Sequence, residues 1–281
     1  MKLTHLYKRM LVLALAAGTS LSCEDAQTDI FVPANIYFPK SGNVEIVPLA
    51  GESVYDFAVY KSGINQSGSV KAVVEVDKSL GNSFIASNPG YSILPDQNYS
   101  LASGEISIGE GEERGMVKIN FKGIGSAALN GNFVLPLQIK SVNGNASVLE
   151  SKKTAYLLIK RFRNAFEGDY RIEGVKEATG VSPVKIQSVS RATTVDASTI
   201  RIPGAESDMI IDLKIEGNTV SITPAPGSEK YEIRNTPGKN STWAGEFDAS
   251  YQRNKGTFKL FYTYVLNGRE FNVTKEVKFW L

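Results

Sequence analysis

Short runs in which apolar and polar residues alternate recur along nearly the whole chain, and each is closed by Gly, Asn, Ser or Pro. Val117, Ile119 and Phe121 alternate with Lys118 and Asn120, and Ile211, Leu213 and Ile215 alternate with Asp212 and Lys214. A period of two sends one set of side chains to a buried face and the other to water, as in a half-buried strand. The same reading predicts strands at Asn35–Phe38, Val54–Tyr60, Ser69–Val76, Glu105–Ile108, Phe133–Ser141 and Thr154–Lys160. In the second half it predicts them at Gly168–Val175, Lys185–Ser190, Thr199–Pro203, Asp208–Glu216, Thr219–Pro224 and Tyr231–Arg234. Gly256–Val265 and Glu270–Trp280 flank Asn267-Gly268, a strong hairpin signal. No long stretch has helical spacing, and a short helical turn fits only Lys78–Ile85 or Ser126–Leu129.

Without crossover helices between the strands, the chain is expected to be all-β and to form antiparallel sheets. Its 281 residues allow two domains of ordinary size. The composition resets after Arg161-Phe162-Arg163-Asn164, where Phe166-Glu167-Gly168-Asp169-Tyr170 opens a new set of strands. We therefore expect an N-terminal immunoglobulin-like antiparallel β-sandwich over residues 34–162. A second antiparallel β domain, sandwich or barrel-like, is expected over residues 163–281. The basic run Lys160-Arg161-Phe162-Arg163 between them reads as a solvated linker.

The chain opens with Lys2, Lys8 and Arg9 around the start of an apolar run, Met10 to Ala17, that is too short to span a bilayer. Gly18-Thr19-Ser20-Leu21-Ser22 then leads to Cys23, the only cysteine. This is the layout of a lipoprotein signal peptide over residues 1–22, although Ser20 stands where such cleavage boxes most often carry Leu. Cys23 is then the lipidated first residue of the mature protein, followed by a linker to residue 33. Glu24-Asp25 resembles the acidic export signal of Bacteroidetes surface lipoproteins. The expected location is the outer membrane, lipid-anchored and facing the cell exterior.

Removal of residues 1–22 would take three basic residues and no acidic one, so 31 Lys and Arg become 28 against 29 Asp and Glu. Nucleic acid is not an expected partner, because binding to phosphates draws on clustered Lys and Arg. The single histidine, His5, leaves with the same segment. The mature chain then has no Ser-His-Asp or Cys-His nucleophile and no His- or Cys-ligated zinc, and no cofactor is expected.

Certain motifs resemble a known family. Tyr37-Phe38-Pro39, Val59-Tyr60-Lys61-Ser62-Gly63, Val74-Glu75-Val76-Asp77, Ile93-Leu94-Pro95 with Tyr99, Gly109-Glu110-Gly111 and Leu135-Pro136-Leu137 resemble, in order, the N-terminal module called domain of unknown function 1735. That module belongs to Bacteroidetes surface lipoproteins and also stands ahead of family-18 endoglycosidases. Phe166–Tyr170 and Phe258-Lys259-Leu260-Phe261-Tyr262-Thr263-Tyr264 resemble, more loosely, the C-terminal domain of unknown function 4361. The resemblance implies a lipoprotein of a polysaccharide-utilisation system, working beside an outer-membrane glycan importer and its lipoprotein partner. It supplies no catalytic residue.

Glycoside hydrolysis would need two carboxylates flanking a bond. The nearest cluster, Glu206-Ser207-Asp208 with Asp212 and Glu216, has the wrong spacing, and Asp212 and Glu216 should point away from the core. Gly109-Glu110-Gly111-Glu112-Glu113 reads as a solvated turn, because its adjacent glutamates diverge where calcium needs converging oxygens. No metal site is expected. Sugar binding instead uses aromatic faces flanked by amides and carboxylates. Trp243 is the clearest candidate, at the end of the turn-rich stretch Thr236–Trp243 and near Asn240, Glu246 and Asp248. The competing reading has Trp243 folding back to plug one end of the C-terminal domain. Tyr91, in Asn88-Pro89-Gly90-Tyr91, is a second loop aromatic.

The reading these residues favour is a surface lipoprotein that binds a polysaccharide or oligosaccharide without catalysis. The alternative is a structural or assembly protein that binds a protein partner; a glycoside hydrolase is the least supported reading. Aromatics exposed in a concave groove would favour glycan, and a flat apolar patch or a free strand edge would favour protein.

Overall fold

A computed structural model describes residues 32–64, 68–125 and 128–280. The expected signal peptide, Cys23, the expected linker up to residue 31 and Ser126 of the possible second turn lie outside the described residues. The chain is all-β, with two large hydrophobic cores that share no residue and a small third cluster around Phe84.

The first core lies between two sheets. One is ordered β10-β1-β3-β8-β6, from β1 (Val32–Tyr37), β3 (Ser53–Ile64), β6 (Tyr99–Leu101), β8 (Arg114–Phe121) and β10 (Ala146–Val148). The other is ordered β2-β11-β9-β4-β7, with β5 also on β9. Its strands are β2 (Gly42–Ile46), β4 (Val70–Val76), β5 (Ser92–Ile93), β7 (Glu105–Ile108), β9 (Phe133–Asn143) and β11 (Thr154–Ile159). Val117, Ile119 and Phe121 are buried as their alternation requires. Most pairings are antiparallel, but β1–β10, β2–β11 and β5–β9 are parallel. In each pair one strand, β10, β2 or β5, has only 3, 5 or 2 residues, and the alternation gave no sign of it.

Among the described residues one α-helix, α1 (Lys78–Ser87), occupies one of the two stretches that allowed a turn. Its start is fixed by Asp77, whose carboxylate accepts the backbone N–H of Ser79 at 2.8 Å and of Leu80 at 3.3 Å, satisfying donors that the first turn leaves free. Asn88 closes the other end by donating to the Phe84 carbonyl at 2.9 Å.

The second core fills a barrel. Its strands are β12 (Gly168–Ala178), β13 (Val181–Thr194), β14 (Thr199–Pro203), β15 (Ile210–Glu216), β16 (Thr219–Pro224), β17 (Arg234–Asn235), β18 (Thr242–Asp248), β19 (Arg253–Leu266) and β20 (Arg269–Phe279). The order runs β19-β18-β16-β15-β14-β13-β12-β20, and β20 pairs again with β19, which closes the ring; β17 lies beside β19. The strand expected at Tyr231–Arg234 is instead a short 3-10 turn, Glu229–Tyr231, followed by the two residues of β17. There Glu232 takes a left-handed backbone, φ 45°, which breaks an extended run.

An eight-stranded barrel is narrow enough for side chains to fill it. Tyr170, Ile211, Leu213, Phe258, Tyr262 and Tyr264 do so, each nearly inaccessible. Lys275 shares that interior at 1 % exposure and donates to the Pro203 carbonyl at 3.2 Å and to that of Gly204. Gly174, its neighbour on β12, makes the room, since a Cβ there would lie 2.9 Å from Lys275 Cγ. Burial pulls the lysine down to about 7.

The basic run between the domains is not a solvated linker. Phe162 is 1 % exposed within the first core. Arg163 pairs by its backbone with the 48–50 segment, its N–H reaching the Pro48 carbonyl at 3.0 Å and its carbonyl accepting from Ala50 at 2.7 Å. Its guanidinium meanwhile donates to the carbonyls of Tyr251 and Gln252 at 2.9 and 2.8 Å, on the β18–β19 turn. Arg161 grips Glu167 with two bonds of 2.9 Å, and Thr194 and Arg191 add bonds of 2.6 and 3.2 Å to the same carboxylate. The Asn164 side chain accepts from Phe166 N–H at 2.8 Å and donates to the Asp196 carbonyl at 2.8 Å. A chain segment that must satisfy its polar groups against both domains at once is held in one path.

Burial pushes Glu167 up, but the hydrogen bonds from Arg161, Thr194 and Arg191 and the charge of Arg161 outweigh it and hold the carboxyl at about 2, against an ordinary 4.5. Because the folded value is depressed, this contribution is complete above the ordinary value and disappears as pH falls from 4.5 through about 2. Glu167→Gln is expected to lower stability at neutral pH by about 2 kcal/mol and to flatten the pH dependence in that window. Urea unfolding followed by circular dichroism from neutral pH to acid measures both.

Candidate functional site

The hairpin of β18 and β19 projects from the barrel toward the first domain. Its strands approach unusually closely at Gly245 and Gly256, which face each other in register. A Cβ on Gly245 would stand 2.2 Å from the Lys255 carbonyl oxygen, and one on Gly256 2.2 Å from that of Ala244. The bond from Asn254 N–H to the Ala165 carbonyl, 2.7 Å, and the grip of Arg163 set the direction of the tip.

Between this tip and the sandwich lies a cleft of about 680 Å³. One wall is the outer face of β3, β8 and β6, where Val54, Asn120 and Ser100 form a row in register across the strands. Glu52 and Lys122 flank the row, and Phe247 and Gln252 face it from the hairpin. Phe247 is 48 % exposed and Val54 50 %, large values for apolar side chains in a concave surface. Glu52, Asn120 and Lys122 make no side-chain hydrogen bond or ion pair among the described residues, so their donors and acceptors are free for a ligand. One accessible ring, one amide, one carboxylate and one ammonium around a trough can stack on an apolar sugar face and bond to its hydroxyls.

The residues expected to bind are placed differently. Trp243 lies on the inner face of β18 opposite Phe258, its ring edge-on to Phe166 at 5.0 Å. It plugs the linker end of the barrel and does not line the cleft. The turn formers before it do make a turn, with Gly238 at φ 73°, but strand pairing resumes at Thr242, one residue ahead of the tryptophan. Its Nε1–H is buried without a partner. Asn240 is exposed in that turn. Glu246 and Asp248 lie on the opposite face of β18 from Phe247, because side chains alternate along a strand. Asp248 is engaged by Lys255 and by Ser250 N–H at 3.0 Å, and these contacts hold its carboxyl below the usual range. Tyr91 lies in the other domain, edge-on to Phe84 at 5.5 Å, and helps pack α1 against Tyr156.

The sequence reading missed Phe247, one residue from two of its candidates. The available signal was the alternation itself, with Phe247 an isolated aromatic among Glu246, Asp248 and Ala249.

The acidic residues considered for hydrolysis are each occupied. Glu206 bonds Lys176 at 2.7 Å and accepts from Tyr264, and Asp208 accepts from Tyr231 and Lys230. Asp212 is buried rather than turned to water, gripped by Arg201 at 2.8 and 2.9 Å. Glu216 is exposed and pairs with Lys214 at 2.6 Å. In the turn after β7, Glu112 folds back to accept Gly109 N–H at 2.7 Å. No group of three or more potential metal ligands occurs among the described residues.

A family model for an N-terminal domain matches residues 32–146, inside the stretch whose motifs resemble domain of unknown function 1735. No curated protein matches the sequence. Among solved structures, a Bacteroides ovatus protein of unknown function is similar with a TM-score of 0.58 and 14 % identity, over 89 % of this chain and 95 % of that one. At that identity the likeness establishes the two-domain β fold and nothing finer. A B. ovatus multidomain protein including domain of unknown function 1735 superposes with a TM-score of 0.39 at 15 % identity, over 87 % of this chain and 94 % of that one. Bacteroides thetaiotaomicron EndoBT-3987, solved with a Man5GlcNAc product, does so with a TM-score of 0.36 at 17 % identity, over 47 % and 32 %.

Packing at the barrel end makes Trp243 a stability residue. Trp243→Ala is expected to lower unfolding free energy by about 3 kcal/mol, read from urea denaturation. Phe247→Ala, at an exposed position, should change it by less than about 0.5 kcal/mol.

Proposed function

We propose that the protein is a surface lipoprotein that binds a polysaccharide or oligosaccharide in the cleft between its two domains, without catalysis. The observation that carries this reading is Phe247, an accessible ring in a trough whose carboxylate, amide and ammonium groups have no other partner. Carbohydrate surfaces present flat patches of C–H bonds beside rows of hydroxyls, and such a trough offers a counterpart to each. The two walls come from different domains, so their rigid connection through Arg163 and Glu167 would preorganise the site and reduce the entropy lost on binding. In this reading residues 1–22 are a signal peptide, Cys23 carries the lipid, and the protein faces the cell exterior beside an outer-membrane glycan importer. The second half is then a domain of unknown function 4361.

Two experiments test the reading. A glycan array and affinity gels run with soluble residues 24–281 should show binding that Phe247→Ala weakens by at least about tenfold, with circular dichroism unchanged. Failure to bind any polysaccharide would transfer the assignment to an assembly protein with a protein partner. Cys23→Ser should move the expressed full-length protein out of the membrane fraction; retention there would remove the lipid anchor from the proposal.

A further inference from the structure

Strand β13 leaves a long edge bare. It pairs with β12 from Val181 to Ala192, but it meets its other neighbour, β14, only at Thr193 and Thr194. From Val181 to Arg191 the outer edge faces no strand among the described residues, and residues 182–185 and 187–189 are exposed. No other described strand leaves so long an edge open. The strands that end the other sheet orders, β10, β6, β2, β7 and β17, have 3, 3, 5, 4 and 2 residues, which is how proteins normally blunt sheet edges. On β13 only Pro183 and Lys185 serve that purpose, and both lie toward one end. The stretch from Ile186 to Ser190 is uncharged, with Val189 60 % exposed.

We propose that this edge pairs with the same edge of a second copy of the chain, giving an antiparallel β13–β13 ladder across a two-fold axis. A bare edge of this length is matched along its whole length only by an equally long one, and among the described strands that is β13 itself. An isologous contact also satisfies both edges at once and closes, so it does not propagate into a fibre. The charges restrict the register, and the exposed valine completes the choice. Arg191 is turned back to Glu167, and β13 carries no acidic residue, so Lys185 must avoid a second Lys185 or Arg191. Centring the axis on Gln187 does this and covers Val189, 60 % exposed. It sets Lys185 opposite Val189 of the other copy on one face, where its aliphatic stem covers the exposed valine, and Val184 opposite Ser190 on the other.

Sedimentation velocity of residues 24–281 over a wide concentration range tests the proposal, with Val189→Lys and Val189→Glu in parallel. Position 189 is exposed, so both variants should keep the parent's circular dichroism and melting temperature. The wild type is expected to show a reversible monomer–dimer equilibrium. Val189→Lys creates two like-charge pairs across the axis and should raise the dissociation constant roughly tenfold; Val189→Glu, placed against Lys185, should lower it. A protein that stays monomeric at every concentration, even if it captures an unrelated extended peptide, would overturn the proposal. A dimer indifferent to both substitutions would overturn it as well.

Discussion

The arrangement of this molecule depends on a few hydrogen bonds made by the segment between its domains. Arg163 is bound to the sandwich through its backbone and to the barrel through its guanidinium. Burial lowers the Arg163 pKa, a sign of how far the cation has been drawn from water into carbonyl groups. Glu167, a few residues on, collects Arg161, Arg191 and Thr194 around one carboxylate. Polar groups in such a position are stabilising only when every member has its partner, which makes the connection intolerant of rotation between the domains.

That rigidity gives the interdomain cleft a shape. The sandwich contributes the row of Val54, Asn120 and Ser100 on strands whose opposite faces are buried in the first core, and the barrel contributes a hairpin tip whose direction is set by Arg163 and Ala165. A glycine pair at the base of the hairpin lets its two strands approach until a methyl group would not fit, and beyond that point Phe247 leaves the barrel interior for the cleft.

The barrel shows the same economy of polar groups. Lys275 lies among tyrosines and aliphatic side chains, yet its ammonium is placed against two carbonyls of the chain that leaves β14. Lys176, Glu206 and Tyr264 form a second, partly buried network. β13 stands outside this pattern, since from Val181 to Arg191 its outer edge meets no strand among the described residues.

Period-two alternation in the sequence was enough to establish the β class and most of the strands, because burial of one face is a local property that each residue records in its own polarity. β7, β14 and β16 lie where the alternation placed them, and the Asn267-Gly268 turn was legible from its own chemistry. The shortest strands were not legible, since two or three residues carry no period. Barrel closure, the path of Arg161 to Glu167 and the cleft itself belong to the tertiary structure. Each depends on residues far apart in the chain, such as Asn120 and Phe247, whose polarity says whether they meet water but not what stands across from them. For the same reason Trp243, read from a turn-rich sequence, became a barrel plug, while Phe247, on the same face of β18 but further toward the hairpin tip, lies past the end of the barrel and reaches the cleft.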